Sequence, residues 1–376
     1  MKVSVVGGGN AGVFTALYLA HYIDEVEVEL IYNPEIPPER VGQATLLDPP
    51  NMLWAASGFN WYNNPIHATF KSGILYEGFG KVNDKVFHDF PSNRMAMHYC
   101  PWEMQNYVLN SGIFKVIESD VDPKDVDADY VFDCRGKPDD LSNYHKLNNP
   151  TNAAILAKPN WDTSKAYWSR HVATPDGWTF VIPTALDSPS RSGGVGYCYN
   201  SNITSKEDAE KNMLEMFDVE ITKHINYNNY MAKNILVDNR IILNGNRLFF
   251  IEPMESSSTQ MYIEVARYFA TYGVKHLNSQ AYNYIKHVQN FILWHYQFGS
   301  KYDTPFWNYV KKLTFSDYIF DSKLEKCMKS EWKDIHYDAT TNNDSGYGQW
   351  NNYAIKLWYE SMTNFYKKEP ENEDRI

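Results

Sequence analysis

The chain has 376 residues, enough for one large or two interlocked domains with ample core. Its net charge of −11 argues against a nucleic-acid or anionic-membrane partner. Four widely spaced cysteines, Cys100, Cys134, Cys198 and Cys327, form no CxxC pair and suggest neither a disulfide framework nor a zinc site.

The chain enters a strand directly after Met1-Lys2, with no signal-peptide pattern and no apolar run of membrane-spanning length; a soluble, cytoplasmic protein is expected. Val3-Ser4-Val5-Val6 leads into Gly7-x-Gly9-x-x-Gly12, then a helical stretch and a second strand-like run, Val26–Tyr32. This strand–turn–helix–strand setting makes the glycine motif informative. Gly7 permits the tight turn, Gly9 lets backbone approach a pyrophosphate, and Gly12 lets helix and strand pack closely. The free N–H groups at the helix start, around Asn10 and Ala11, face the phosphates. No acid ends the second strand; Asn33 stands there to take a ribose hydroxyl, with Glu35 close behind.

Five prolines between residues 34 and 50 predict a loop, which holds Gly42, Gln43, Ala44 and Thr45. Residues 51–64 read as helix and turn. Ala68–Tyr76 alternates like a strand, and its Lys71 reads, on residue type alone, as a solvated edge residue. Residues 80–115 look irregular, a substrate wall with His88, Phe90, Met95, Met97, His98, Trp102 and Met104. Asp129–Gly136 reads as a buried strand beside the first one, and 137–165 as polar loop. Gly177-Trp178-Thr179-Phe180-Val181-Ile182-Pro183 follows, then a strand at 194–199 and a capped helix from Ser205 to about Phe217. Arg240–Leu243 is a strand ending at Gly245-Asn246. Pro253-Met254-Glu255-Ser256-Ser257-Ser258 introduces a helix to about Tyr272, closed by Gly273. The remainder is helical: Ser279–Phe298 with Tyr282, Ile285, Val288, Ile292 and His295, a helix from Thr304-Pro305, and a last one carrying Trp350, Tyr353, Leu357 and Trp358. The eleven histidines show no metal spacing.

Four of these stretches together resemble the flavin-dependent halogenases of the tryptophan halogenase type. They are Gly7-x-Gly9-x-x-Gly12, Phe70-Lys71, Gly177–Pro183 against the family's Trp-x-Trp-x-Ile-Pro, and Pro253–Ser258 against its Pro-Leu-Glu-Ser-Thr-Gly. Their order and spacing match over roughly the first 270 residues. The chain departs from the pattern at Phe180 for the second Trp and at Ser257-Ser258 for Thr-Gly. It reads Gly42-Gln43-Ala44-Thr45 for Gly-Glu-Ala-Thr, and Gly245-Asn246 for Gly-Asp.

The resemblance implies an α/β fold: a Rossmann-like FAD-binding domain of the GR2, flavin-monooxygenase-like type, with a β-rich substrate layer and a helical C-terminal region. Residues 1–275 would form the catalytic module, with flavin pieces at about 1–45, 115–140 and 235–275 and the substrate layer at about 50–115 and 150–230. Residues 276–366 would cover the substrate site, and 367–376 would be a disordered tail. Reduced FAD and oxygen would give a flavin hydroperoxide, which oxidises chloride, bromide or iodide to hypohalous acid. That acid would pass a tunnel walled by Trp178, Phe180, Ile182 and Pro183 and meet Lys71 as a hydrogen-bond donor or as a haloamine. Glu255 would accept the ring proton or stabilise the cationic intermediate, and Ser257 and Ser258 would hold the halide. The flavin would contact Gly42–Thr45, Gly245 and Asn246 as well as the glycine loop. A separate flavin reductase would supply FADH2, the substrate would be an electron-rich aromatic small molecule, and homo-oligomerisation stays open. The alternatives are a flavin-dependent aromatic monooxygenase and a flavin-binding protein without catalysis.

Overall fold

The computed structural model describes residues 1–37, 41–80, 85–90, 96–183, 194–297, 299–313, 331, 350 and 352–363. The segment predicted as a disordered tail lies outside them. Their largest parallel sheet runs in the order Leu236–Val237, Ile241–Leu243, Tyr130–Asp133, Lys2–Val6, Glu27–Tyr32, Lys115–Glu118. Every pairing is parallel except the one at the 236–237 edge. The first strand is central, so Val3, Ser4 and Val5 are all fully buried; burial on both faces explains why it reads as a continuous run rather than an alternation. Helix Asn10–Tyr22 crosses one face and packs on helix Ser258–Tyr272.

A second sheet of seven strands is mostly antiparallel. Its order is Val219–Asn226, Ala153–Pro159, Val195–Tyr199, Gly177–Val181, Ser169–Thr174, Gly73–Glu77, Lys85–Asp89. One face, with Ile155, Val172 and Tyr197, packs on Ala209 and Met213 of helix Lys206–Met216. The other face places Tyr76 beside His171 and His171 beside Phe180, and these point into the core shared with the parallel sheet. Helix Leu277–Gln297 closes that side.

Several stretches differ from the reading of the sequence. Residues 80–115 are not irregular: they hold strands Lys85–Asp89 and Ala96–Tyr99 and helix Pro101–Leu109, which has Pro101 at its first turn. Residues 137–165 are not all loop. Ala153–Pro159 is paired on both sides, and its small alanines pack well although alanine has little strand preference of its own. Helix Asp48–Ser57 begins inside the proline-rich stretch because Pro49 and Pro50 occupy its first turn. Tyr282 is 39% exposed and lies off the buried stripe of its helix. Trp350 precedes the last described helix, Asn352–Thr363. Among the described residues, no helix is long and apolar enough to cross a membrane.

Candidate active site

A cleft of about 370 Å³ opens where the parallel strands end. Gly7, Gly8, Gly9, Asn10, Ala11, Asn33, Gln43 and Asn246 line it. Gly7 has φ +121°, and a Cβ on Gly12 would stand 1.7 Å from the Gly7 carbonyl oxygen. A Cβ on Gly9 would meet nothing within 4 Å, so the loop is open on the side that faces the cleft. The helix behind it starts with no side-chain cap, leaving its first N–H groups for a ligand. Asn10 gives its amide to Gln43 Oε1 at 2.7 Å, while its own Oδ1 is buried without a partner. A helix N-terminus, an open glycine and an orphaned oxygen together fit a dinucleotide. Asn33 spends its Oδ1 on the Glu35 backbone N–H, 2.9 Å away, and Glu35 itself is exposed and not part of the cleft wall. Gly245 packs on Ala11 from behind. Gly42, Ala44 and Thr45 do not line the cleft; Gln43–Ala44 pairs with Ala96–Tyr99 instead. We expect Gly12→Ala to cut FAD affinity at least about tenfold, read by flavin fluorescence titration.

Behind this cleft lies a second constellation. Strand Thr69–Lys71 inverts the expected pattern: Phe70 is 39% exposed and Lys71 only 2%. Phe70 stacks outside on Trp61 with ring centroids 3.9 Å apart. Lys71 Nζ donates to Thr45 O and to Ser256 Oγ, each 3.0 Å away, and lies 5.3 Å from the Phe90 ring. Burial pushes its pKa down to about 7, against a smaller upward pull from Glu255. Thr45 thus ties the loop beside the cleft to the lysine.

Glu255 is completely buried. Its Oε1 accepts from the Tyr76 hydroxyl and from His295 Nε2 at 2.6 Å, and its Oε2 from Trp350 Nε1 at 2.9 Å. Burial alone would raise its pKa; the His295 charge and the hydrogen bonds outweigh that and hold it near 2. The next residue, Ser256, has φ +53°, a left-handed conformation uncommon for serine, and it is the one that meets Lys71. The turn therefore brings Lys71 and Glu255 into one buried site without a direct contact between them. Ser257 and Ser258 follow at the start of the fifteen-residue helix Ser258–Tyr272. Ser257 makes no side-chain cap, so ordinary serine capping does not account for it.

Trp178 is fully buried and Phe180 is 8% exposed. Both sit on the core face of the second sheet, with Ile182 and Pro183 continuing toward residues outside the described set. Trp178 Nε1 donates to Glu252 Oε2 at 3.1 Å. Glu252 also accepts from Asn149 at 3.1 Å, from Thr151 at 2.7 Å and from the Tyr296 hydroxyl. Burial raises its pKa in spite of these bonds. His171 lies between the Tyr76 and Trp178 rings, 5.2 and 5.0 Å from them.

The tryptophan halogenase family matches residues 2–116 and 119–362, nearly the whole chain. The chain belongs to the tryptophan halogenase family. Tryptophan 7-halogenase KtzQ from Kutzneria sp. (strain 744) is 24% identical over 240 residues, 59% of this chain and 42% of KtzQ. The chain spans less than half the length of the curated relatives it matches. Among solved structures, the lanthipeptide-type tryptophan 5-halogenase MibH superposes with a TM-score of 0.78 at 18% identity, covering 98% of this chain and 88% of that one. Xcc4156, a flavin-dependent halogenase from Xanthomonas campestris, gives 0.77 at 16%, covering 97% and 89%. The fold is that of the flavin-dependent halogenases, Rossmann-like for the cofactor half.

Seen as a halogenase-family site, the structure adds residues that the sequence reading passed over. Gln105, Ser119, Asp120, Arg135, Gly136, Lys137 and Tyr262 line the cleft. Tyr76, His295 and Trp350 hold Glu255, and Glu252 holds Trp178. Glu252 stands only three residues before Glu255 and was legible as a second carboxylate of the same turn. The others come from distant segments, and no local spacing joins them. Among the described residues, no His, Cys, Asp and Glu group could hold a metal ion.

Proposed function

We propose that this chain is an FADH2-dependent halogenase acting on an electron-rich aromatic small molecule. The observation that carries the reading is Lys71: a fully buried lysine, held at the Ser256 turn beside Glu255 and linked through Thr45 to the flavin-side loop. A buried amine costs stability, and perturbed groups of this kind mark functional sites. Gly7, Gly9, Asn10, Ala11, Gly12, Asn33, Gln43 and Asn246 would hold FAD, with Gly42, Ala44, Thr45 and Gly245 shaping the loops around it. Bound reduced FAD would activate oxygen, and oxygen would supply the oxidising equivalents that convert halide to hypohalous acid.

The chain's own residues do the rest. Ser257 and Ser258 present N–H groups at a helix N-terminus, where the dipole favours an anion, and hold the halide. Trp178, Phe180, Ile182 and Pro183 keep the aromatic substrate from the cofactor. Lys71 receives the halogen: with a pKa near 7 the amine is partly neutral and can form a haloamine. Glu255 stabilises the positive charge that builds on the attacked ring. A separate reductase, working in the cytoplasm, supplies the reduced flavin.

The test is a mass-spectrometric turnover assay with FAD, a flavin reductase, NADH, oxygen and a panel of phenols and indoles. Chloride, bromide and iodide are supplied in turn, beside an enzyme-free control. Halide-dependent mass gains above the control are expected, with a rate that rises as pH passes through about 7. Oxygen insertion without halide would replace this reading with an aromatic monooxygenase.

A further inference from the structure

His295 sits in the last turn of helix Leu277–Gln297 and is 1% exposed. Its Nδ1 lies 2.6 Å from the Phe291 carbonyl oxygen, which can only accept, so Nδ1 carries hydrogen. Its Nε2 lies 2.6 Å from Glu255 Oε1. That carboxylate also receives the Tyr76 hydroxyl and the Trp350 indole N–H. These two donors besides the ring favour the ionised form of the carboxyl group, which again only accepts. Both ring nitrogens thus face acceptors, an arrangement that an imidazolium satisfies. The helix C-terminus around it favours a cation as well. The Glu255–His295 pair is neutral as a unit, while Lys71 is held by a carbonyl and a hydroxyl. Among the described residues, no carboxylate comes within ion-pair distance of Lys71.

We propose that His295 is a positioning residue that occupies Glu255 as its counter-ion and so leaves the Lys71 amine without one. This deepens the halogenase reading and rests on it. The remaining titratable neighbours among the described residues do not change the balance. His88 on strand 85–89, His98 on strand 96–99 and His171 on strand 169–174 are buried beside Lys71 and Glu255, and burial pushes each toward the neutral form. Asp89, next to His88, accepts from the Tyr353 hydroxyl. Tyr76 stays protonated as a donor, its pKa raised by burial and by Glu255. Among the described residues, Glu255 is thus the carboxylate facing Lys71, and His295 the group that neutralises it.

The experiment compares pH–rate profiles of halide-dependent turnover for the wild type, His295→Gln and His295→Lys. It uses the full chain with FAD, a reductase, bromide and one phenol, with FAD binding as the check on folding. In His295→Gln the Glu255 charge falls on Lys71. The rising limb should then move up by about one pH unit, with about a fivefold loss at pH 7 that recovers at higher pH. In His295→Lys a cation is restored and the limb should stay at the wild-type position. A uniform loss in His295→Gln with an unmoved limb would overturn the proposal, as would a limb raised equally in both variants. If His295→Gln does not bind FAD, a raised limb in folded His295→Lys overturns it alone. No halide-dependent product from the wild type at any pH would reject the halogenase reading, and this inference with it.

Discussion

Lys71→Met should lower halogenated product by roughly 10²–10⁴-fold while FAD affinity stays unchanged. The substitution keeps the buried aliphatic stem and removes only the amine. Among the described residues, the amine's tie to the cofactor side is its hydrogen bond to Thr45 O, on a residue that does not line the cleft. Hypohalous acid should still form and escape, so a soluble trap for it should respond equally in both proteins. The same variant should be the more stable fold at low pH. A folded pKa near 7 against an ordinary lysine value of 10.5 means that the native state carries the cost of a buried charge below about pH 7. That cost fades between 7 and 10.5, where the folded amine is already neutral. The stability advantage of Lys71→Met should therefore be largest below pH 7 and shrink as pH rises, which denaturant titrations at several pH values would show. Undiminished product from Lys71→Met would remove the lysine from the chemistry.

Glu252→Ala should destabilise the fold by roughly 3–5 kcal/mol, because four buried donors lose their acceptor at once. These are Asn149, Thr151, Trp178 and Tyr296, from three separate parts of the chain. Glu252→Gln should be milder, since the amide oxygen still accepts while its nitrogen adds a donor among donors. The carboxyl group also fixes the Trp178 ring. A folded Glu252→Gln should therefore release more hydrogen peroxide per flavin oxidised than the wild type, as the wall between substrate and cofactor loosens. Thermal denaturation and a peroxide assay measure the two effects. A variant as stable and as tightly coupled as the wild type would show that the network carries neither load.

The parts of this account that the sequence disclosed are those with strong local signals. The glycine loop, the first two parallel strands and the helix after Ser258 follow from composition and spacing at single stretches. Lys71 was legible only through its family resemblance. Taken by residue type, its strand pointed the wrong way, because Phe70 finds an external partner in Trp61 while the lysine turns inward. The strand Ala153–Pro159 was hidden by its alanines, whose role depends on neighbours at 195–199 and 219–226. The partners of Glu255 were hidden for the same reason at longer range. Tyr76, His295 and Trp350 are brought together by a sheet, a helix and the C-terminal region, and no motif spans such distances. Histidine in particular gave no signal, since the feature that singles out His295 is the pair of acceptors its two nitrogens meet.

The central claim is that this chain directs oxygen's oxidising power onto halide, and it can be tested without knowing the substrate. The full chain loaded with reduced FAD is mixed with oxygen, with and without bromide, and the oxygen consumed is divided between hydrogen peroxide and trapped hypobromous acid. The account predicts that bromide shifts most of the oxygen from peroxide to hypobromous acid, and that the shift saturates with bromide concentration. Peroxide in full yield, unchanged by chloride, bromide or iodide, would contradict it.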